Sequence, residues 1–244
     1  GSVRCLSCVV LGWSCPPSTT FSRRGHTVAS ACITVKQRGA AVEPTHGMLR
    51  LALSLLSTSA AAYTLSFQTD VAAGAPRGLV VINVTAAWAP LGAAHLRELV
   101  EDGFYDGAAF FRVVPNFVVQ FGIAGTPAEN VKWQTPIKDD PVLQSNLAGT
   151  ITYATAGPNT RTTQLFINLQ DNARLDSQGF APLGSVVHGM DVVSAIYNPT
   201  PGQSGGVSQS DYETKGDDWI RKTYPQINFI TNSSLGRSRR TRYL

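Results

Sequence analysis

Residues 110–122 constrain the fold more than any other stretch of this 244-residue chain. They read FFRVVPNFVVQFG, two runs of β-branched and aromatic residues on either side of Pro115 and Asn116. This pattern predicts a strand, a tight turn and a second strand. Because side chains alternate between the two faces of a strand, Val118 and Gln120 should share one face. Arg112 stands in an otherwise apolar strand, so it must either extend to water or act at a surface.

A second stretch, residues 149–168, has the same layout. It reads GTITYATAGPNTRTTQLFIN, and the turn-forming residues Gly157, Pro158 and Asn159 separate its two strand-like halves. Gln164 and Phe166 lie two residues apart and should therefore project from one face of their strand.

The rest of the central region alternates short strands with a few helices. Apolar alternation and β-branched runs predict strands at 63–67, 79–84, 183–187 and 227–230, and apolar stripes predict helices at 90–102, 190–196 and 210–224. Many short strands with few helices favour a closed barrel, because closure hides the edges of the sheet.

The two stretches together resemble the cyclophilin family of peptidyl-prolyl isomerases, whose central motifs have the form FxRxxxxFxxQxG and AGPNTxxxQxFI. Residues 104–107 (FYDG) and the pair Leu175 and Asp176 match flanking parts of the family pattern. Several spaced motifs that agree are far more specific than one short motif. The resemblance covers about residues 63–231 and implies a mainly β fold, a closed eight-stranded antiparallel barrel capped by two or three helices, with a substrate groove on its outside.

The resemblance also implies which residues form the site. Arg112 would be the catalytic cation, with Gln120 and Phe117 beside it in the catalytic group. The substrate-binding residues implied by the family are Val118, Ala154, Thr155, Gln164, Phe166, Leu175, Arg174 and Phe180. The family implies neither a cofactor nor a metal.

Four positions depart from the pattern of many members. Val118 stands where methionine is common, and Thr155 where asparagine is common. Arg174 and Phe180 stand where many eukaryotic members carry tryptophan and histidine. Because the tryptophan helps to bind cyclosporin in the family, we expect weak cyclosporin binding here.

The activity implied by the resemblance is catalysis of the rotation about Xaa-Pro peptide bonds without a covalent intermediate. This activity would assist protein folding. The partners would be proline-containing segments of client proteins, and we expect a monomer. The alternative is a scaffold or chaperone module that holds proline peptides with little turnover. An intact Arg112 favours the enzyme.

The distribution of charge argues against a nucleic-acid partner. Residues 63–234 carry ten basic and fifteen acidic residues, so the net charge of +4 comes from the two ends of the chain. A nucleic-acid-binding domain should carry positive charge on its fold. Binding of nucleic acid or membrane through Arg237, Arg239, Arg240 and Arg242 remains a third hypothesis, and we expect no membrane span.

The N-terminal residues have the composition of a targeting leader. Residues 1–47 are rich in Ser, Thr and Arg with one acid, and residues 48–62 combine a Met, a positive charge, a short apolar run and an Ala-x-Ala end. These features predict a transit-like extension followed by a signal peptide, a domain over 63–231 and a disordered basic tail over 232–244. The hypothesis places the product in the secretory pathway, with a plastid-type compartment or, without a working leader, the cytoplasm as alternatives.

All four cysteines fall within the first 32 residues. Cys5 and Cys8 have CxxC spacing, which can indicate redox or metal chemistry. No second pair or histidine cluster follows them, so we interpret this spacing as chance. The predicted domain therefore contains neither a disulfide nor a reactive thiol.

Overall fold

The structure is a computed structural model that describes residues 62–237 and is built on one antiparallel sheet of eight strands. In chain order the strands are β1 (Tyr63–Thr69), β2 (Leu79–Val84), β3 (Arg112–Val114), β4 (Val118–Phe121), β5 (Thr150–Tyr153), β6 (Leu165–Asn168), β7 (Pro182–His188) and β8 (Ile230–Arg237). The helices are α1 (Pro90–Glu101), α2 (Pro127–Lys132), a 3-10 helix (Ala173–Gln178), α3 (Met190–Ser194) and α4 (Gln209–Thr223). The order across the sheet is β3-β4-β6-β5-β7-β2-β1-β8.

The two edge strands, β3 and β8, are linked by a short antiparallel bridge between the segments that lead into them. Ala109 pairs with Phe229 in antiparallel fashion. The Phe110 N–H donates to the carbonyl of Asn228 at 3.0 Å, and the Ile230 N–H donates to the carbonyl of Ala108 at 2.9 Å. The predicted eight-stranded antiparallel fold is confirmed, and its edges meet through this bridge rather than along a full strand pair.

The core follows the alternation that the sequence predicts. In β1, Tyr63, Leu65 and Phe67 are buried, whereas the residues between them are partly or fully exposed. The Phe67 ring contacts the rings of Tyr105 and Phe121 edge-to-face, with centroids 5.8 and 5.4 Å away. These large aromatic side chains belong to the main core on the inner face of the sheet.

Helix α1 covers the sheet with the apolar stripe predicted for it. Pro90 occupies the first turn, where its missing N–H costs nothing, and Leu96 and Leu99 are fully buried. The helix contacts β7 and β8.

Helix α4 packs on a second, smaller core. Its Tyr212 and Ile220 are buried with Phe111, Ile123 and other apolar residues that precede or follow β3, β4 and β8. The helix is interrupted at Gly216, which has φ 69° and ψ −161°, a backbone conformation that residues with a Cβ rarely adopt. The break lies between Tyr212 and Ile220, so turns on both sides of Gly216 contribute to the second core, and the turns before it also approach the site.

The C-terminal boundary of the domain differs from the prediction. The predicted strand at 227–230 is shifted, because β8 begins only at Ile230 and the preceding Phe229 forms an isolated bridge. The predicted disordered tail from 232 is wrong for residues 232–237, which belong to β8 and pair with β1. The sequence of this segment is polar, so its strand arises from backbone pairing with β1 and not from an apolar pattern. Residues 238–244 lie outside the described residues.

Two short helices were not predicted, α2 and the 3-10 helix, each of six residues. Segments of this length carry too little periodicity to be recognised. The described part of the chain therefore has more helices than the two or three expected, although only α1 and α4 are long.

The predicted leader, 1–62, lies outside the described residues apart from Ala62, and strand β1 begins at Tyr63. Across residues 62–237 no helix has the length and apolarity needed to cross a bilayer.

Candidate active site

The β3–β4 hairpin places Arg112 and Gln120 side by side. Asn116 adopts φ 57° in the turn, a conformation that asparagine tolerates better than most residues, and Arg112 then pairs with Gln120 across the two strands. Val119 and Phe121 point into the main core, whereas Val118 and Gln120 lie on the opposite face, as the alternation predicts.

Strand β6 brings the second motif next to the first. Phe166 pairs with Gln120 in the register of β4 and β6, and Gln164 precedes β6 on the same face as Phe166. The Ala154 N–H, at the end of β5, donates to the Gln164 carbonyl at 2.9 Å. The two motifs therefore meet across one surface of the sheet.

An apolar pocket of about 280 Å³ opens on this surface. We call it the apolar pocket; its hydrophobic side chains are Phe117, Val118, Phe166, Leu175 and Phe180, of which Val118, Phe166 and Leu175 are buried. The Phe180 ring meets Phe166 edge-to-face with the centroids 5.7 Å apart. A pocket of this size and lining fits a small apolar ring.

Arg112 lies at the rim of the apolar pocket and is held by two hydrogen bonds. Its Nη1 donates to Gln120 Oε1 at 2.8 Å, and its Nε donates to the Ser204 carbonyl. Neither bond uses Nη2, and no ion pair among residues 62–237 includes Arg112. Within the part of the chain that the structure describes, the site thus holds a fixed cation without a carboxylate partner.

The loop before α4 packs directly against this arginine. Gly206 has φ 76°, and a Cβ at this position would lie 2.6 Å from Arg112 Cβ, so only glycine fits. Packing and the surrounding protein partly desolvate the guanidinium, and this burial lowers the pKa of Arg112. Because the ordinary pKa of arginine lies far above neutrality, Arg112 remains charged near neutral pH.

A chain of side-chain amides leads from Arg112 away from the apolar pocket. Gln120 Nε2 donates to Gln164 Oε1 at 2.8 Å. Gln164 Nε2 then donates to Gln209 Oε1 at 3.0 Å and approaches Glu213 Oε1 at 3.5 Å. The first turns of α4 therefore fix the orientation of Gln164, which fixes Gln120, which in turn fixes the guanidinium.

Leu175 reaches the apolar pocket because the 3-10 helix is anchored to the loop before β5. The Asp176 carboxylate accepts hydrogen bonds from Ser145 Oγ at 2.6 Å, from the Asn146 N–H at 2.9 Å and from Asn146 Nδ2 at 2.8 Å. Burial opposes ionisation of Asp176, but these hydrogen bonds outweigh it and the pKa of the carboxyl is lowered.

Arg174 lies outside the apolar pocket but touches one of its walls. Its guanidinium carbon is 4.6 Å from the centroid of the Phe117 ring, and the same ring has Arg112 at 5.9 Å. The side chain of Arg174 is exposed.

The structure brings the residues expected from the sequence to one surface, although their roles stay predictions. All of them except Gln164 and Arg174 line the apolar pocket, Gln164 borders the next part of the groove and Arg174 stands at the rim. His188 is exposed at the end of β7, away from this surface's named residues.

Sequence reasoning missed the contributions of the C-terminal half. Ser204 and Gly206 hold Arg112, and Gln209 and Glu213 hold Gln164. No short motif links these residues to Arg112, and their only signal is the i, i+4 spacing of Gln209 and Glu213, of which only Glu213 lies within the predicted helix 210–224.

Comparison with known proteins decides the family. The model of the family described as cyclophilin type peptidyl-prolyl cis-trans isomerase/CLD matches residues 65–224. The chain belongs to the cyclophilin family. The membership expected from the two motifs, and with it the expectation of an isomerase, is confirmed at the level of the family.

Curated relatives of this cyclophilin come from bacteria and fungi. It is 35% identical over 139 residues to a peptidyl-prolyl cis-trans isomerase of Acinetobacter baylyi, covering 54% of this chain and 73% of that protein. It is 34% identical over 158 residues to peptidyl-prolyl cis-trans isomerase A of Dickeya dadantii, covering 61% and 83%.

The fold of this cyclophilin is shared with a solved structure. A cyclophilin type peptidyl-prolyl cis-trans isomerase of Cryptosporidium parvum superposes with a TM-score of 0.54, covering 73% of this chain and 99% of that chain. At 15% identity this likeness concerns the fold alone.

Proposed function

We propose that this cyclophilin isomerises Xaa-Pro peptide bonds of client proteins, and so assists their folding, with Arg112 as an electrostatic catalyst. The observation that supports the proposal is an un-neutralised arginine, fixed by Gln120 and Ser204, at the rim of an apolar pocket. In this reading the pocket holds the proline ring and Arg112 faces the amide beside it.

Rotation about a prolyl bond is slow because the amide C–N bond has partial double-bond character, with a barrier of about 18–20 kcal/mol. When the amide twists, conjugation is lost and a lone pair becomes localised on the proline nitrogen. A catalyst need only stabilise this twisted state more than the planar one. No covalent bond forms, and no proton is transferred.

The geometry of Arg112 suits this task. The contacts with Gln120 and Ser204 use Nη1 and Nε, which leaves the donors of Nη2 for the substrate. A guanidinium held in place before the substrate arrives needs little reorganisation during the reaction. Desolvation strengthens its interaction with the developing lone pair.

The first experiment measures the isomerisation rate of a short Ala-Pro peptide for the wild type, Arg112→Ala and Arg112→Lys. Removing one preorganised donor should lower the rate about 100-fold or more. Arg112→Lys should recover little of it, since lysine restores the charge but not the planar fork. The fold should persist, because Arg112 is only half-buried at a surface groove.

The pH profile completes this test. The lining of the apolar pocket contains no histidine, and its one ionisable residue is Arg112. The rate should therefore be nearly flat over about pH 6–9, where arginine stays charged. A bell-shaped profile centred near neutrality, or full activity of Arg112→Ala, would assign the chemistry elsewhere. Tight peptide binding without turnover by the wild type would identify a scaffold instead.

A further inference from the structure

A second cavity lies beside the site, between α2, α4 and the segment that leads into β6. We call it the helix pocket; its volume is about 410 Å³. Asn130 and Val131 of α2 form one wall, and Glu213 and Thr214 of α4 form another. Asn130 Nδ2 donates to the Glu213 carbonyl at 3.3 Å and ties the two walls together.

The helix pocket is continuous with the apolar pocket. A polar cavity between them shares Gln120, Ala154 and Thr155 with the apolar pocket, and shares Thr162 and Gln164 with the helix pocket. The three cavities therefore form one groove, and the hydrogen bond between Gln120 and Gln164 crosses its middle.

The helix pocket carries one formal charge, the carboxylate of Glu213. Its remaining polar side chains are neutral amides and hydroxyls, and no lysine or arginine lines it. None of the ion pairs found in residues 62–237 includes Glu213. Two of the three other acids of the same helix are paired, Asp211 with Lys215 at 2.7 Å and Asp217 with Arg221 at 3.4 Å, whereas Asp218 is exposed to solvent.

Glu213 is also partly removed from water. Burial raises the pKa of its carboxyl, and the approach of Gln164 only partly offsets this effect. A desolvated carboxylate without a counter-ion is stabilised when a cation enters its site. The helix pocket is thus matched to a positively charged group.

The spacing along β6 indicates which part of a bound peptide reaches the helix pocket. Phe166 borders the apolar pocket, and Gln164, two residues earlier, borders the helix pocket. Two residues of extended chain span about 7 Å, and an extended peptide advances at the same rate. A side chain two or three residues from a proline in the apolar pocket therefore arrives beyond Gln164.

We propose that Glu213 is a specificity-determining residue of this groove, which selects client segments with a lysine or arginine two or three residues from the isomerised proline. The inference rests on the proposed function, because it places the proline in the apolar pocket. It adds a sequence preference that neither the family motifs nor Arg112 requires.

The experiment uses the full chain and two sets of peptides with one Xaa-Pro bond. Lysine is placed in turn at each of the three positions on either side of this dipeptide, and each peptide is matched by one with norleucine, which keeps the alkyl stem without the charge. The readout is the ratio of kcat/KM for the lysine peptide to that for its norleucine partner. We expect a ratio of about five at one position two or three residues from the proline, the size of a half-buried ion pair.

Glu213→Gln should reduce this ratio to about one, since glutamine keeps the shape and the acceptor but not the charge. Glu213→Lys should invert the preference in favour of glutamate peptides. The matched control is Asp218→Asn, an exposed carboxylate of the same helix that does not line the pocket, which should keep the wild-type ratio. If neither Glu213 variant folds, the wild type alone still tests the inference. Its lysine-to-norleucine ratio should decrease in roughly 0.5 M salt, because salt screens a partly exposed ion pair.

The outcomes separate this inference from the proposed function. If the wild type isomerises norleucine peptides through Arg112 but shows no lysine preference at any position, only the specificity site is overturned. A lysine preference that Glu213→Gln leaves intact overturns it equally. If the wild type isomerises no peptide at all, or needs no Arg112, the proposed function itself fails.

Discussion

Arg174 stands at the rim of the apolar pocket, where it covers one of the pocket walls. Its guanidinium lies over the Phe117 ring at 4.6 Å, where a tryptophan would offer a flat apolar face and a ring N–H. We expect Arg174→Trp to bind cyclosporin about tenfold more tightly than the wild type, as measured by titration calorimetry. Arg97→Trp is the control, because Arg97 also covers an aromatic ring, that of Tyr63, but lies on α1. Equal affinities of wild type and Arg174→Trp would contradict the alignment at this position.

At the same scale, the sequence is most informative where the polarity of a residue is unusual for the segment that contains it. An arginine inside an apolar strand and two glutamines on strand faces were recognisable as site residues, and the structure places them within one hydrogen-bonded chain. Glu213 was not recognisable. The inference drawn for it uses the lack of an ion pair to Glu213 among residues 62–237 and the approach of α2, and neither feature is encoded within a few residues of it.

At the scale of elements, the N-terminus of α1 is capped by a carboxylate from a distant part of the chain. The N–H groups of Leu91 and Gly92 donate to the two oxygens of Asp140 at 2.9 and 2.8 Å, and Arg161 Nη1 donates to the same carboxylate at 3.1 Å. Asp140→Asn should lower the free energy of unfolding by about 3 kcal/mol, because it leaves a buried arginine without this partner and removes a negative charge from the helix N-terminus. Thermal denaturation should show a decrease in Tm of about 10 °C.

Glu101→Gln is the control for that experiment. Glu101 pairs with Arg97 at 3.8 Å, but its side chain is 59% exposed, so its loss should change Tm little. Similar small changes in Tm for both variants would mean that the Asp140 contacts do not stabilise the N-terminus of α1.

The elements that the sequence predicted correctly are those whose own side chains specify them. Strand β2 and helix α1 follow from apolar periodicity, and the structure gives them almost the predicted bounds. Strand β8 could not be predicted in the same way, because Thr231, Asn232 and Ser233 carry no strand pattern. Their conformation is imposed by the free edge of β1, and by Asp106, which accepts hydrogen bonds from Ser233 N and Oγ at 2.6 and 2.7 Å.

For the whole molecule, the stability of the barrel should depend on β8. Removing residues 231–244 deletes β8 and exposes the backbone of β1 along its outer edge. We expect this truncation to lower Tm by at least about 10 °C relative to removal of 238–244 alone, or to prevent folding, because several backbone pairs and the contact with Asp106 are lost. Equal denaturation curves for the two truncated chains would show that β1 does not need this partner.

The pairing of β1 with β8 also sets the order in which the domain can be completed as it is made. Strand β1 emerges from the ribosome first among the described strands, and β2 can pair with it at once. Its other edge must wait until β8, more than 150 residues later, has been synthesised. Throughout that interval the nascent chain presents an unpaired strand edge, the kind of surface that recruits other chains. This enzyme, proposed to assist the folding of other proteins, can therefore complete its own sheet only near the end of its synthesis.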